Sequence, residues 1–269
     1  MSFERPKAVG FYARWYRPRN AHDRTAVLLV GGSDGGLFTD ELPTELVGQG
    51  YPVLDLAYFR EPGLPQQLER IRLEYFRRAL TWLAAQPQVN PRRIVTFGVS
   101  RGGELSLILA ATFPMLVHGA VEYVGDWFVG GGLPDPSQPA WTYQGRPVFG
   151  WPTSGVIPVW KINGPIFATG GGDDALAHSS ISVQTIIHEM HQHGRQDVTG
   201  LVYAHAGHLL GLVLPSRFPP YGKNSYGTVK LWTGQLLTLG GTAQADLAAR
   251  KNAWPKLLAF LQRISQAKA

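Results

Sequence analysis

Three short stretches of this 269-residue sequence carry side chains that together can do acyl-transfer chemistry. FGVSRGGELSLILAA, residues 97–111, holds Ser100 between two glycines in the spacing G-x-S-x-G. IFATGGGDD ends on Asp173 and Asp174, and YAHAGH ends on His208. A serine hydroxyl is a poor nucleophile near neutral pH. It needs a histidine to take its proton and a carboxylate to orient and stabilise that histidine. The chain order Ser, Asp, His belongs to the topology in which the nucleophile rides a sharp strand-to-helix turn.

The same spacing occurs a second time, in GGSDG from Gly31 to Gly35. Context separates the two. A nucleophile turn needs a strand before it, neighbours with almost no side chain, and an apolar helix after it. RRIVTFG, then VS, then RGGELSLILAATF supplies all three, with Leu105, Leu107, Ile108 and Ala111 on the inner helix face. No apolar helix directly follows Ser33. Its loop comes after the first long buried strand, where glycines let backbone amides turn toward a substrate oxygen. Ser100 is therefore the expected nucleophile, and the backbone N–H groups of Ser33 and Arg101 are the expected oxyanion donors. His208, in a loop after the last strand, is the expected base, with His205 as its rival. Asp173 and Asp174 are adjacent, and periodicity does not choose between them, since one can face the site while the other caps the next helix. Asp126, directly after the preceding strand, is a less favoured acid. HEMHQH at 188–193 departs from the zinc pattern H-E-x-x-H and ends beside Gly194, so neither a metal nor a cofactor is expected.

The elements that must hold these residues alternate between strand and helix, the pattern of a mainly parallel sheet with helices on both faces. Strands are expected at 10–17, 25–32, 51–59, 92–98, 117–125 and 164–172, with the last in TGLVYAHAGH. Helices are expected between the second and third strands, over LPQQLERIRLEYFRRALTWLAAQP, after Ser100, over SSISVQTIIHEMHQHG and in the tail, where Pro255 bends or restarts the helix. Residues 126–164 lack periodicity and are rich in glycine, proline and aromatics. They read as a lid or pocket-lining insertion, with Trp127, Phe128 and Trp151 as the expected apolar wall of the site. Without an internal repeat or linker, 1–269 reads as one domain.

Composition narrows the partners. The chain is 44% hydrophobic and 16% charged, with no run of about 18 apolar residues that would span a bilayer. It has no cysteine, which excludes disulfides, thiolate metal sites and a cysteine nucleophile. The net charge of +6 favours anionic partners, but no dense Lys/Arg block or nucleic-acid motif appears, so no nucleic-acid partner is expected. The start, MSFERPKAVGFYARW, lacks the apolar core of a secretion signal, and a cytoplasmic protein is expected.

These segments together resemble the C-terminal catalytic domain shared by acyl-CoA thioesterases and bile acid-CoA:amino acid N-acyltransferases. GVSRGGELSL is similar to the family's G-x-S-K-G-A-E-L, and IPVWKINGPIFATGGGDD to its I-P-x-x-K-x-x-G-P-I strand ending in G-x-D-D. GGSDGGL, AGH and LGGTAQADLAARKNAWPKLLAFL resemble further family segments. The resemblance implies an α/β-hydrolase fold of dienelactone-hydrolase type and puts the acid on Asp174. It also implies an acyl ester or acyl-CoA as the small-molecule substrate. The transferases carry cysteine where this chain has Ser100, which favours hydrolysis over transfer to an amine. Three activities are compared: acyl-CoA thioesterase first, then an esterase or lactone hydrolase acting on oxygen esters, and last a non-catalytic binding protein on the same scaffold.

Overall fold

The computed structural model describes residues 3–6, 9–18, 24–39, 41–215 and 227–266. Eight strands form the central sheet: β1 (Phe3–Glu4), β2 (Tyr12–Tyr16), β3 (Arg24–Val30), β4 (Val53–Ala57), β5 (Val89–Val99), β6 (Ala120–Tyr123), β7 (Ile166–Gly171) and β8 (Val198–Tyr203). Their spatial order is β1-β2-β4-β3-β5-β6-β7-β8. β1 and β2 pair antiparallel, β2 pairs antiparallel with β4, and every pair from β4 to β8 is parallel. The segment read as a strand over 10–17 therefore lies one place in from the edge, covered by the two-residue β1.

The inner parallel strands β3, β4, β6 and β7 are short, largely apolar runs because both of their faces are buried. Along β3, Ala26, Leu28 and Val30 face one core layer while Val27 and Leu29 face the other, the period-two alternation of a strand. Helices α2 (Leu73–Ala84), α3 (Arg101–Thr112) and α4 (Ser179–Gln192) cover the first face. Helices α1 (Glu41–Gly48) and α5 (Ala243–Gln266) cover the second. Among the described residues, no helix is long and apolar enough to cross a membrane.

Three local expectations change. The helix expected from residue 64 begins only at Leu73. Arg70 has φ +52°, and Leu68 pairs with Leu133 through reciprocal backbone hydrogen bonds of 3.0 Å, so this stretch is anchored to the insertion. Pro255 neither interrupts nor restarts α5, which runs unbroken past it. A hairpin of Thr228–Lys230 and Leu236–Thr238 precedes α5, where no strand was read.

Residues 126–164 form no separate layer. Trp141–Tyr143 pairs with Ile71–Arg72 and with Arg146–Pro147, and Phe128 bridges Val156. Trp141 is fully buried in the main core, with Tyr58 and Phe76 around it.

Candidate active site

Strands β3, β5, β6, β7 and β8 run parallel, so their carboxyl ends share one edge of the sheet. Ser33, Ser100, Asp126, Asp174 and His208 all follow those ends within about five residues. The register of the sheet thus does most of the assembly, and the loops do the aiming.

Ser100 is the single residue between β5 and α3 and has φ +57°, ψ −125°. Positive φ is strained for a serine and persists only where the surroundings enforce it. Here the parallel sheet and the helix do so. A Cβ on Gly98 would overlap the Gly102 carbonyl, and one on Gly102 would overlap the carbonyls of Val30 and Gly31. Only glycine lets the helix approach the sheet this closely. The Ser100 amide donates to the Tyr123 carbonyl at 2.7 Å, which fixes the turn to β6.

The Ser100 hydroxyl lies 2.9 Å from His208 Nε2. On the other side of the ring, His208 Nδ1 is 3.0 Å from Asp174 Oδ2 and 3.2 Å from Oδ1. The His208 side chain is 10% exposed and that of Asp174 1%. Asp174 Oδ1 accepts the amides of Leu176 and Ala177, each at 3.0 Å, and Oδ2 accepts the Ser179 hydroxyl at 2.6 Å. Burial alone would raise this carboxyl's pKa. The hydrogen bond and charge of His208, followed by the bonds from Ser179 and Ala177, outweigh burial and hold it below the ordinary carboxylate value. Asp174 therefore stays charged at neutral pH.

The rival residues meet each other instead. Asp173 and His205 are exposed and face one another at 3.6 Å, outside the cleft. The difference arises from the two glycines before α5. The Leu239 carbonyl accepts the His208 amide at 2.8 Å, Gly240 bridges Asp174, and a Cβ on Gly241 would overlap the Gly207 amide nitrogen. Asp246, in the first turn of α5 and fully buried, accepts the Gly207 amide at 2.6 Å. The loops carrying His208 and Asp174 are thus clamped by one segment, Leu239 to Asp246.

The loop after β3 abuts Ser100, since a Cβ on Gly32 would come within 3.3 Å of the Ser100 Cβ. Tyr58, buried below it, donates to the Gly31 carbonyl at 2.8 Å and reaches the Gly32 carbonyl at 3.3 Å. In a trans peptide the N–H points opposite to the C=O. With the Gly32 oxygen turned toward Tyr58, the Ser33 N–H turns the other way. Trp232 Nε1 holds the Ser33 carbonyl at 2.8 Å, a tether with no motif in the sequence to announce it.

Two cavities meet at Ser100. The larger, about 310 Å³, is bounded by the Ser33 loop, His208 and an apolar wall that includes Phe38, Leu212, Val229, Leu231, Leu237 and Leu239. The smaller, about 200 Å³, runs past Arg101, Glu104, Asp126 and Leu133. Trp127, Phe128 and Trp151 line neither, which corrects the expected aromatic wall. Trp127 and Phe128 pack edge to face at 4.9 Å, and Trp127 and Trp151 lie against the main core. The insertion is held down by Glu104, whose Oε1 accepts Trp141 Nε1 at 2.8 Å and the Gly130 amide at 3.1 Å. Its Oε2 accepts Arg101 Nη1 at 2.7 Å. The apolar wall is supplied instead by the hairpin before α5.

Asp126 is not in hydrogen-bond contact with His208. Burial pushes its carboxyl above the usual range, and the Arg101 charge only partly offsets this. Glu122, beneath the Ser100 turn, is fully buried and its carboxyl is pushed up to about 8, with the Gly125 amide as donor. His193, at the end of the histidine-rich helix, stacks on Trp160 at 4.1 Å. Among the described residues, no three His, Asp or Glu side chains are grouped to hold a metal ion.

The strand order, the strained serine turn and the loops gathered at the carboxyl edge define an α/β-hydrolase fold. A putative dienelactone hydrolase from Klebsiella pneumoniae shares it, with a TM-score of 0.59 and 17% identity, over 97% of this chain and 98% of that one. Residues 71–132 and 147–267 match the family described as BAAT / Acyl-CoA thioester hydrolase C terminal, and the chain belongs to that family. Mouse acyl-coenzyme A thioesterase 6 is 30% identical over 250 residues, covering 86% of this chain and 58% of the relative. Mouse acyl-coenzyme A amino acid N-acyltransferase 1 is 27% identical over 239 residues, covering 81% of this chain and 55% of that protein. The chain thus spans little more than half the length of these relatives.

Proposed function

We propose that the protein is a serine hydrolase that cleaves acyl thioesters of the acyl-CoA type through Ser100, His208 and Asp174. The observation that carries the reading is the unbroken hydrogen-bonded line from the Ser100 hydroxyl through the His208 ring to the buried Asp174 carboxylate. His208 Nε2 takes the hydroxyl proton as Ser100 Oγ attacks the acyl carbonyl, and Asp174 stabilises the resulting imidazolium. The Ser33 and Arg101 amides donate to the oxyanion; one such donor contributes about 3 kcal/mol of transition-state stabilisation. The tetrahedral intermediate collapses to an acyl-serine, and the thiolate leaves with the proton from His208. Water, deprotonated by the same ring, then releases the acid and restores Ser100. The larger apolar cavity suits the acyl chain.

The thioester preference is supported by the relatives named acyl-coenzyme A thioesterase. A second reading, hydrolysis of oxygen esters, is favoured by the likeness to a dienelactone hydrolase over nearly its whole length. A panel of acyl-CoAs assayed beside p-nitrophenyl esters of the same acids separates the two. CoA release at the higher kcat/KM supports the thioesterase. Oxygen-ester turnover without detectable CoA release overturns it.

A further inference from the structure

The loop that carries Ser33 is held from outside by one side chain, Trp232. Gly32 to Gly35 form a tight turn, the Gly35 amide donating to the Gly32 carbonyl at 3.3 Å, and neither Ser33 nor Asp34 has positive φ. The central peptide of this turn joins Ser33 to Asp34. Turning that peptide over is what separates the two common turn types. Trp232 Nε1 donates to its carbonyl, that of Ser33, at 2.8 Å. From below, Tyr58 has a single hydroxyl proton, and its oxygen lies nearer the Gly31 carbonyl, at 2.8 Å, than the Gly32 carbonyl, at 3.3 Å. The peptide before Ser33 is thus held only by long bonds, and the peptide after it is held firmly by Trp232.

The indole is itself fixed. Its ring packs edge to face on Phe59 at 6.2 Å, and the Arg60 guanidinium lies over it at 4.8 Å. Trp232 sits in the turn of the hairpin, which is closed by the Leu231 amide on the Gln235 carbonyl at 2.8 Å and the Gly234 amide on the Leu231 carbonyl at 2.9 Å. Beyond the hairpin's second strand, the Leu239 carbonyl accepts the His208 amide. One element therefore reaches both the Ser33 loop and the loop of His208. We propose that Trp232 is a positioning residue: by holding the Ser33 carbonyl it aims the Ser33 N–H at the oxyanion. The proposal rests on the hydrolase reading above and adds to it the residue that sets one of the two donors. Trp232 lines neither cavity and touches no reacting atom. Its effect therefore falls on states that carry a negative oxygen and spares simple occupancy of the cleft.

The test compares the full chain with Trp232→Phe, which keeps a ring against Phe59 and Arg60 and removes the N–H. The probes are pentyl trifluoromethyl ketone, which takes up the Ser100 hydroxyl as a tetrahedral oxyanion, and the alcohol made by reducing it, which has the same chain and cannot. In Trp232→Phe the Ki of the ketone should rise about tenfold, and kcat for butyryl-CoA or p-nitrophenyl butyrate should fall by the same factor. The Ki of the alcohol and the KM should stay within about twofold. Benzothienylalanine at position 232, with sulfur in place of the N–H and the same shape, gives the same readout if the phenylalanine variant does not fold. Ser33→Pro removes the amide hydrogen at a turn position that suits proline. In that background Trp232→Phe should change the ketone Ki by less than about twofold, because its route runs through that amide. Equal rises in Ki for ketone and alcohol would make Trp232 a packing residue and overturn the proposal. An unchanged ketone Ki, or a full tenfold loss in the Ser33→Pro background, would overturn it as well. Turnover of neither substrate by wild type would remove the hydrolase reading itself, a result distinct from these.

Discussion

Ser33 and Ser100 follow adjacent parallel strands in identical five-residue spacing, yet the two turns are built differently. At Ser100 both flanking glycines are demanded by packing, because a Cβ at either would enter neighbouring backbone. The serine between them is forced to φ +57°, which lifts its hydroxyl toward His208. At Ser33 the first glycine is sterically idle: a Cβ on Gly31 would meet nothing nearer than 3.7 Å. Gly35 is needed for its φ of +70°, and the loop is tethered through its carbonyls by Tyr58 and Trp232. One turn presents a side chain and the other a backbone amide. The spacing is the same; the surroundings decide the use.

That contrast can be broken most sharply by deleting each hydroxyl. Ser100→Ala should lower kcat by a factor of about 10⁴ or more while the protein stays folded, whereas Ser33→Ala, which keeps its amide, should stay within about threefold. Steady-state kinetics with matched circular dichroism checks both. Asp174 sharpens the contrast next. Asp174→Asn should cost a factor of about 10³ to 10⁴ in kcat, while Asp173→Asn, on the exposed pair, should change it by less than about twofold.

The same Asp174 carboxyl links stability to pH. Its folded pKa lies below the unfolded value of about 3.9, so its contribution is fully present above that pH and lost as pH falls through the lowered value. The gap in urea midpoint between wild type and Asp174→Asn should therefore persist at pH 5 to 7 and close at more acid pH. The smallest effect separates the two first glycines. Gly98→Ala should destabilise by about 3 kcal/mol and Gly31→Ala by less than about 1, read from urea unfolding.

Much of the site was legible in the sequence because it rests on strand ends and turn chemistry. The run RRIVTFG, the paired glycines around Ser100 and the order Ser, Asp, His suffice to bring Ser100 and His208 to one edge. Choosing Asp174 over Asp173 needed the family resemblance, since two adjacent residues differ only in which way the loop turns them. What stayed hidden depends on contacts distant in the chain. Glu104 meets Trp141 37 residues away, and Trp232 meets the Ser33 carbonyl 199 residues away. The hairpin 228–238 carries only three-residue strands, too short for periodicity to register, so the cleft's apolar wall went to the aromatics of 126–164 instead. Trp127 and Trp151 instead pack against the main core and pin the long loop to the body.

The proposed function requires that the Ser100 hydroxyl, and no other, be the activated nucleophile. Fluorophosphonate treatment of the folded protein, followed by peptide mapping in a mass spectrometer, tests it directly. A single stoichiometric adduct on Ser100, absent from Ser100→Ala and from heat-unfolded protein, is expected. An adduct on Ser33, or none on the folded protein, would contradict it.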